Sequence, residues 1–208
     1  LLERHFGDWQ PPAGQSPPRA AIAAATGSSG TRVYLLDRPG APQTSILAGQ
    51  LMPSSLAPDR IEINTANDVL GGTFTSRINM NLREDKHWSY GTRSSLTEAR
   101  GQRPWLLSAP VQTDKTVESI QEIRRELADF LATRSITAEE FAKVRSRDVR
   151  ALSGQYETNA AVSSAIGDIV RFGRPDDYVR TLRARLEAQT GAGVRQAAAQ
   201  AFRPDSLT

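Results

Sequence analysis

Two adjacent glycines, Gly71-Gly72, interrupt the most helix-like stretch of the chain, and this interruption constrains the fold more than any other feature. Ala66, Leu70, Phe74, Ile78 and Leu82 recur every fourth residue, a spacing that lines one side of a helix. Each glycine inside a helix costs about 1 kcal/mol relative to alanine, so one unbroken rod is not expected. A kink or a close backbone contact at Gly71-Gly72 is expected instead. A second short helical run should follow, then a charged loop flanked by Arg83 and Tyr90 that turns into a strand.

A length of 208 residues suits one domain, or one domain with a linker, and allows a substantial core. No run approaches the ~20 apolar residues that a membrane-spanning helix needs. No basic-then-apolar leader follows Leu1, and the sequence reads as beginning inside a larger one, which leaves the compartment open. The absence of cysteine excludes disulfides, thiolate nucleophiles and cysteine-based zinc sites. The net charge is +3, from 26 basic and 23 acidic side chains. Lys86, Lys115 and Lys143 are the only lysines, so nearly all the positive charge is arginine, which suits carboxylate or carbonyl recognition. Lys143, Arg145, Arg147 and Arg150 form one basic run and Arg180, Arg183 and Arg185 another. With no aromatic or base-reading elements interleaved, both read as solvated helix faces or wall contacts with a partner, not as a nucleic-acid interface.

Residues 1–9 read as the tail of a helix ending at Gly7, the end of a preceding domain. Residues 10–31 hold Pro11-Pro12, Pro17-Pro18 and Gly27-Ser28-Ser29-Gly30, the composition of a linker. The folded unit should therefore be residues 32–208. It opens on a β-favouring run at 32–36 closed by the turn Asp37-Arg38-Pro39-Gly40, then a second strand at 43–52. A helix begins near Pro58-Asp59 and enters the central stretch. Strands are expected at 90–96 and 105–111, joined as a hairpin with a longish loop. Val117, Ile120, Ile123, Leu127, Phe130 and Leu131 mark the apolar face of the next helix. Thr137 followed by Glu140 is a capping-box signature for another. Further helices are expected at 158–172, 176–189 and 193–202. Strands, a helix, strands and then helices give an α+β fold, an antiparallel sheet covered on one face by helices.

Chemistry narrows quickly. His5 and His87 are the only histidines, too few and too far apart for a catalytic zinc, which needs at least three protein ligands. No G-x-S-x-G elbow is present, and no lysine follows Gly71-Gly72 at phosphate-loop spacing. Arg83 and Tyr90 remain. Two donors converging from one loop can hold a peptide carbonyl and the negative charge that grows on it. A surface arginine paired with Glu84 or Asp85 beside a buried tyrosine is the reading that the residues by themselves favour.

The run Leu70-Gly71-Gly72-Thr73-Phe74-Thr75-Ser76-Arg77-Ile78-Asn79, with Leu82-Arg83-Glu84 and Tyr90-Gly91, resembles the non-catalytic half of the pitrilysin/insulinase family of zinc metallopeptidases. Phe6-Gly7-Asp8-Trp9, Leu35 to Gln43, Val111 to Thr116 and Pro175-Asp176-Asp177-Tyr178 match other family landmarks in order. The resemblance implies a half domain without zinc of its own. Its partner, on the same polypeptide or a separate subunit, would carry the zinc, the ligands and the glutamate that activates water. It also implies that Arg83 and Tyr90 face a peptide substrate, while Gly71 and Gly72 are read from the residues themselves as a structural break or packing point. A catalytically inactive structural or assembly domain of the same family is the second reading. Two departures stand out. His87 occupies a position where relatives carry glycine, which puts the backbone of that loop in question. A final strand implied after Asp205 is expected to be cut short or absent, since the sequence reaches only Thr208.

Overall fold

The computed structural model describes residues 1–10, 14 and 21–208. Both proline pairs, on which the linker reading chiefly rests, lie outside the described residues. A short exposed helix α1 (Leu2–Phe6) ends at Gly7. Three strands form the sheet: β1 (Gln43–Met52), β2 (Arg93–Leu96) and β3 (Arg103–Gln112). Their order is β1-β3-β2, with both pairings antiparallel. On the central strand β3, Arg103, Trp105, Leu107, Ala109 and Val111 are all buried, whereas Leu106 and Ser108 between them are exposed. This period-two alternation is what a sheet covered on one face produces.

The helices supply that cover. They are α2 (Arg60–Asn67), α3 (Arg77–Asn79), α4 (Thr116–Leu131), α5 (Ala138–Ala151), α6 (Asn159–Phe172), α7 (Tyr178–Ala188) and α8 (Gly191–Ala201). Ile63, Leu70, Leu82, Leu127 and Val194 pack with Trp105, Leu107 and Val111 into one core, and Phe202 meets the Trp105 ring edge-on at 5.7 Å. The capping box forms as the sequence specifies. Thr137 accepts from the Glu140 amide, and the Glu140 side chain accepts from the Thr137 amide. Gly173 ends α6 in the left-handed conformation that glycine adopts without penalty.

Three expectations need correction. Residues 32–36 form no strand: Val33, Tyr34, Leu35 and Leu36 are 70–86% exposed. A strand needs a neighbour, and the segment's link to the sheet side is the Arg32 amide donating to the Leu207 carbonyl. Leu207 is followed by Thr208, which exchanges two backbone hydrogen bonds with Gly49 on the outer edge of β1. Second, Phe74 is exposed and leaves the helical face it was expected to share, because the chain turns extended at Thr73. Third, Val117 on α4 is exposed, so the buried face of that helix rests on Ile123, Leu127 and Phe130.

Candidate functional site

The glycine pair builds the platform for the Arg83 loop. Helix α2 does not stop at Asn67 but widens into a π-turn over Asp68–Gly72, and α3 likewise passes into a π-turn over Met80–Asp85. Such turns insert one residue and so rotate the side chains beyond it about the helix axis. A Cβ on Gly71 would lie 2.5 Å from Ser94 Oγ and 3.0 Å from its Cβ, so glycine is what lets this turn press against β2. Buried Asn67 locks the contact, accepting from Ser94 Oγ at 2.7 Å and from Trp105 Nε1 at 2.8 Å. Gly71 thus sits close against β2, while a Cβ on Gly72 would meet Asp68 and Asn67.

Arg83 lies in the second π-turn. Its guanidinium stacks 4.5 Å above the centre of the exposed Phe74 ring, and its Nε lies 3.4 Å from Glu84. Beyond it the loop is tied down closely. The Leu82 carbonyl accepts from the Trp88 and Ser89 amides, and Ser89 Oγ donates to the Pro110 carbonyl at 2.6 Å. The Gly91 amide donates to Ser89 Oγ, and the Thr92 amide to Asn79 Oδ1. The Leu82–Ser89 bond draws together the immediate neighbours of Arg83 and Tyr90. The two residues therefore flank one closed loop, as the spacing suggested.

Tyr90 differs from Ser89 and Thr92 beside it. Ser89 and Thr92 are buried, while the Tyr90 side chain is 88% exposed. Among the described residues its hydroxyl has no hydrogen-bond partner. The pairing of Arg83 with Glu84 matches the surface-pair alternative, but the buried tyrosine of that alternative is not found. The contribution of Phe74 was hidden in the sequence, because an aromatic at helical spacing reads as core.

His87 resolves the question raised by its departure from glycine. Its φ is 57°, the left-handed region that glycine favours. Histidine adopts that backbone here and bears its strain, with its Nδ1 3.1 Å from the Arg83 carbonyl.

These residues do not fit a zinc ion. Among the described residues no group of three or more histidine, cysteine, aspartate or glutamate side chains is placed to hold a metal. His5 sits on the exposed helix α1 and His87 in the Arg83 loop. No helix among the described residues is long and apolar enough to cross a membrane.

Comparison with known proteins places this arrangement. The family model described as "Peptidase M16 inactive domain" matches residues 1–147. No curated protein matches the sequence. Among solved structures, the peptidase M16 inactive domain from Pseudomonas fluorescens aligns over 79% of this chain and 39% of its own, with TM-score 0.73 and 21% identity. A protease from Helicobacter pylori aligns over 99% of this chain and 49% of its own, with TM-score 0.82 and 15% identity. An inactive peptidase domain from Bordetella parapertussis aligns over 84% of this chain and 94% of its own, at TM-score 0.68 and 18% identity. The chain thus spans less than half of the first two and nearly all of the third. The structural likenesses establish a shared fold, and the family match, covering most of the sequence, establishes that the chain belongs to the inactive-domain family of the M16, or pitrilysin-type, peptidases.

Proposed function

We propose that this domain is the non-catalytic half of a zinc endopeptidase, and that it closes the substrate chamber against a zinc-bearing half. In this reading Arg83 and Tyr90 donate hydrogen bonds to the carbonyl of the peptide bond being cut. The metal, its ligands and the base that activates water belong to the partner, on the same polypeptide or on a separate subunit. As water attacks, negative charge grows on the carbonyl oxygen. Donors already held in place stabilise that charge without having to reorganise. The observation that carries the reading is Tyr90, a phenol held out at 88% exposure by a loop whose flanking residues are buried and bonded. Phe74 supports it by holding the Arg83 guanidinium flat while leaving donors unused. The Helicobacter pylori protein that shares the fold is itself described as a protease.

The test combines this chain with its zinc-bearing half and follows cleavage of a peptide. The chain alone should be inactive and the mixture active. Arg83→Ala or Tyr90→Phe should then lower kcat by about 10²–10³-fold, the usual loss for one oxyanion donor. Full turnover in both variants would remove the assigned role. A neighbouring half that lacks the H-x-x-E-H frame would favour an assembly domain instead.

A further inference from the structure

Two ionic clusters away from the Arg83 loop are unbalanced, in opposite senses. In the first, three guanidiniums share one carboxylate. Arg174 lies 3.0 Å, Arg103 3.4 Å and Arg60 3.7 Å from Glu98. Arg103 is fully buried, and its remaining bonds go to the Pro53 carbonyl and Asn64. Arg60 and Arg174 are largely buried but reach the surface. Tyr178 adds to the concentration of positive charge: Arg174 and Arg185 stack on its ring, and Arg60 donates to its hydroxyl. In the second cluster one guanidinium serves two carboxylates, Arg147 bonding both Asp68 and Asp148. Burial raises the Asp148 pKa, with Arg147 opposing the shift and Asp68 reinforcing it.

One cleft of about 540 Å³, a volume in the range of small-ligand sites, touches the first cluster at Arg60 and the second at Asp68 and Asp148. Arg60 lines it at the start of α2, and Asp68 lines it eight residues on, with Asp148 beside Asp68. At 1.5 Å per residue, the helix separates the two ends by about 12 Å. Ile61, Leu152, Leu182 and Leu186 provide apolar lining between them. Thr65, also in the lining, donates to the buried Gln189, whose Nε2 has no partner among the described residues.

We propose that this cleft binds a short free peptide through its two charged ends. The peptide's carboxylate meets Arg60 and its ammonium meets Asp68 and Asp148. At 3.3–3.6 Å per extended residue, the span fits about three to four residues. The first cluster carries an excess of positive charge and the second an excess of negative charge, so a zwitterion of this length complements both. An inorganic anion complements one end and a simple amine the other. The apolar lining meets the side chains in between. The cleft shares no lining residue with the Arg83 loop, so the proposal does not rest on the peptidase reading.

Calorimetric titration of the 208-residue chain with the tetrapeptide Ala-Leu-Leu-Ala tests it, with no zinc-bearing half present. Saturable binding is expected, weakened at least tenfold by acetylating the peptide's amine and at least tenfold by amidating its carboxylate. Arg60→Gln should abolish only the amidation penalty, and Asp148→Asn only the acetylation penalty. Equal binding of free and capped peptides would overturn the proposal, as would absence of saturation. Full competition by inorganic phosphate without any acetylation penalty would reduce the site to a simple anion site and also overturn it. If Arg60→Gln fails to fold, by circular dichroism, the Asp148→Asn arm decides the outcome alone.

Discussion

Arg103 commits its guanidinium to the interior, whereas Arg83, some twenty residues earlier, holds its own at the surface. Arg103 is 0% exposed and bonds Glu98, Asn64 and the Pro53 carbonyl. Burial lowers its pKa, Glu98 opposes that shift, and the neighbouring Arg60 adds to it. Arg83 has a 35% exposed side chain, one ion pair at 3.4 Å and an aromatic ring beneath it. The contrast separates an arginine spent on the fold from one left at the surface, in a chain whose positive charge is almost all arginine. A guanidinium with its donors satisfied internally maintains the fold. One held rigid with donors to spare is available to something else.

The contrast would break first at Arg103. Arg103→Met should cost about 2–3 kcal/mol in chemical denaturation, because the Pro53 carbonyl and Asn64 lose their donor while Glu98 keeps Arg60 and Arg174. A cost below ~1 kcal/mol would mean that Arg103 is as dispensable to the fold as a surface residue. Next comes Glu140, which joins the Arg77 guanidinium to the cap of α5. Burial raises its pKa, but Arg77 and the Thr137 amide outweigh burial and hold the carboxyl below its usual value. Its contribution is therefore complete above the unfolded carboxylate pKa of about 4.3 and is lost as pH falls through the lower folded value. Glu140→Gln should cost about 1 kcal/mol at neutral pH and flatten the acid limb of the stability curve, as equilibrium unfolding across pH 2–7 would reveal.

His87→Gly sharpens the comparison from the opposite side, by relieving strain in the Arg83 loop. It should leave the loop intact and change stability by less than about 1 kcal/mol, in the stabilising direction, read as a small rise in Tm. Smallest of all should be Arg83→Met, which by the same denaturation assay should stay within about 0.5 kcal/mol of the parent. A loss of several kcal/mol there would place Arg83 among the structural arginines and undo its proposed role.

Much of the fold could be read from residue order because the relevant signals are local. Strand β1 occupies the residues its alternation marked, and Thr137-Glu140 closes the capping box its spacing requires. Helices α6 to α8 fall close to the expected ranges. The failures share a cause. Val33 to Leu36 have strand-forming side chains, but pairing depends on a neighbour supplied by another part of the chain. Phe74 sits at a helical interval, but the turn after Gly72 resets the count. At the candidate site, Arg83 and Tyr90 stood out through their spacing and a family resemblance. The shelf beneath Arg83 and the ties that hold Ser89 need three-dimensional contacts to be seen. The cleft along α2 gave no warning, since its charged residues, Arg60, Asp68 and Asp148, come from the start of α2, the turn after it and α5.

The bonds at Gly49 and Arg32 have a consequence for shape. Leu207-Thr208 is gripped on both sides, by β1 on one flank and by the segment starting at Arg32 on the other. The two Gly49–Thr208 bonds are the reciprocal pair of an antiparallel ladder, and among the described residues they close the outer margin of β1 at Gly49. The margin of the sheet thus acts as a half-closed zipper whose slider is parked at Gly49.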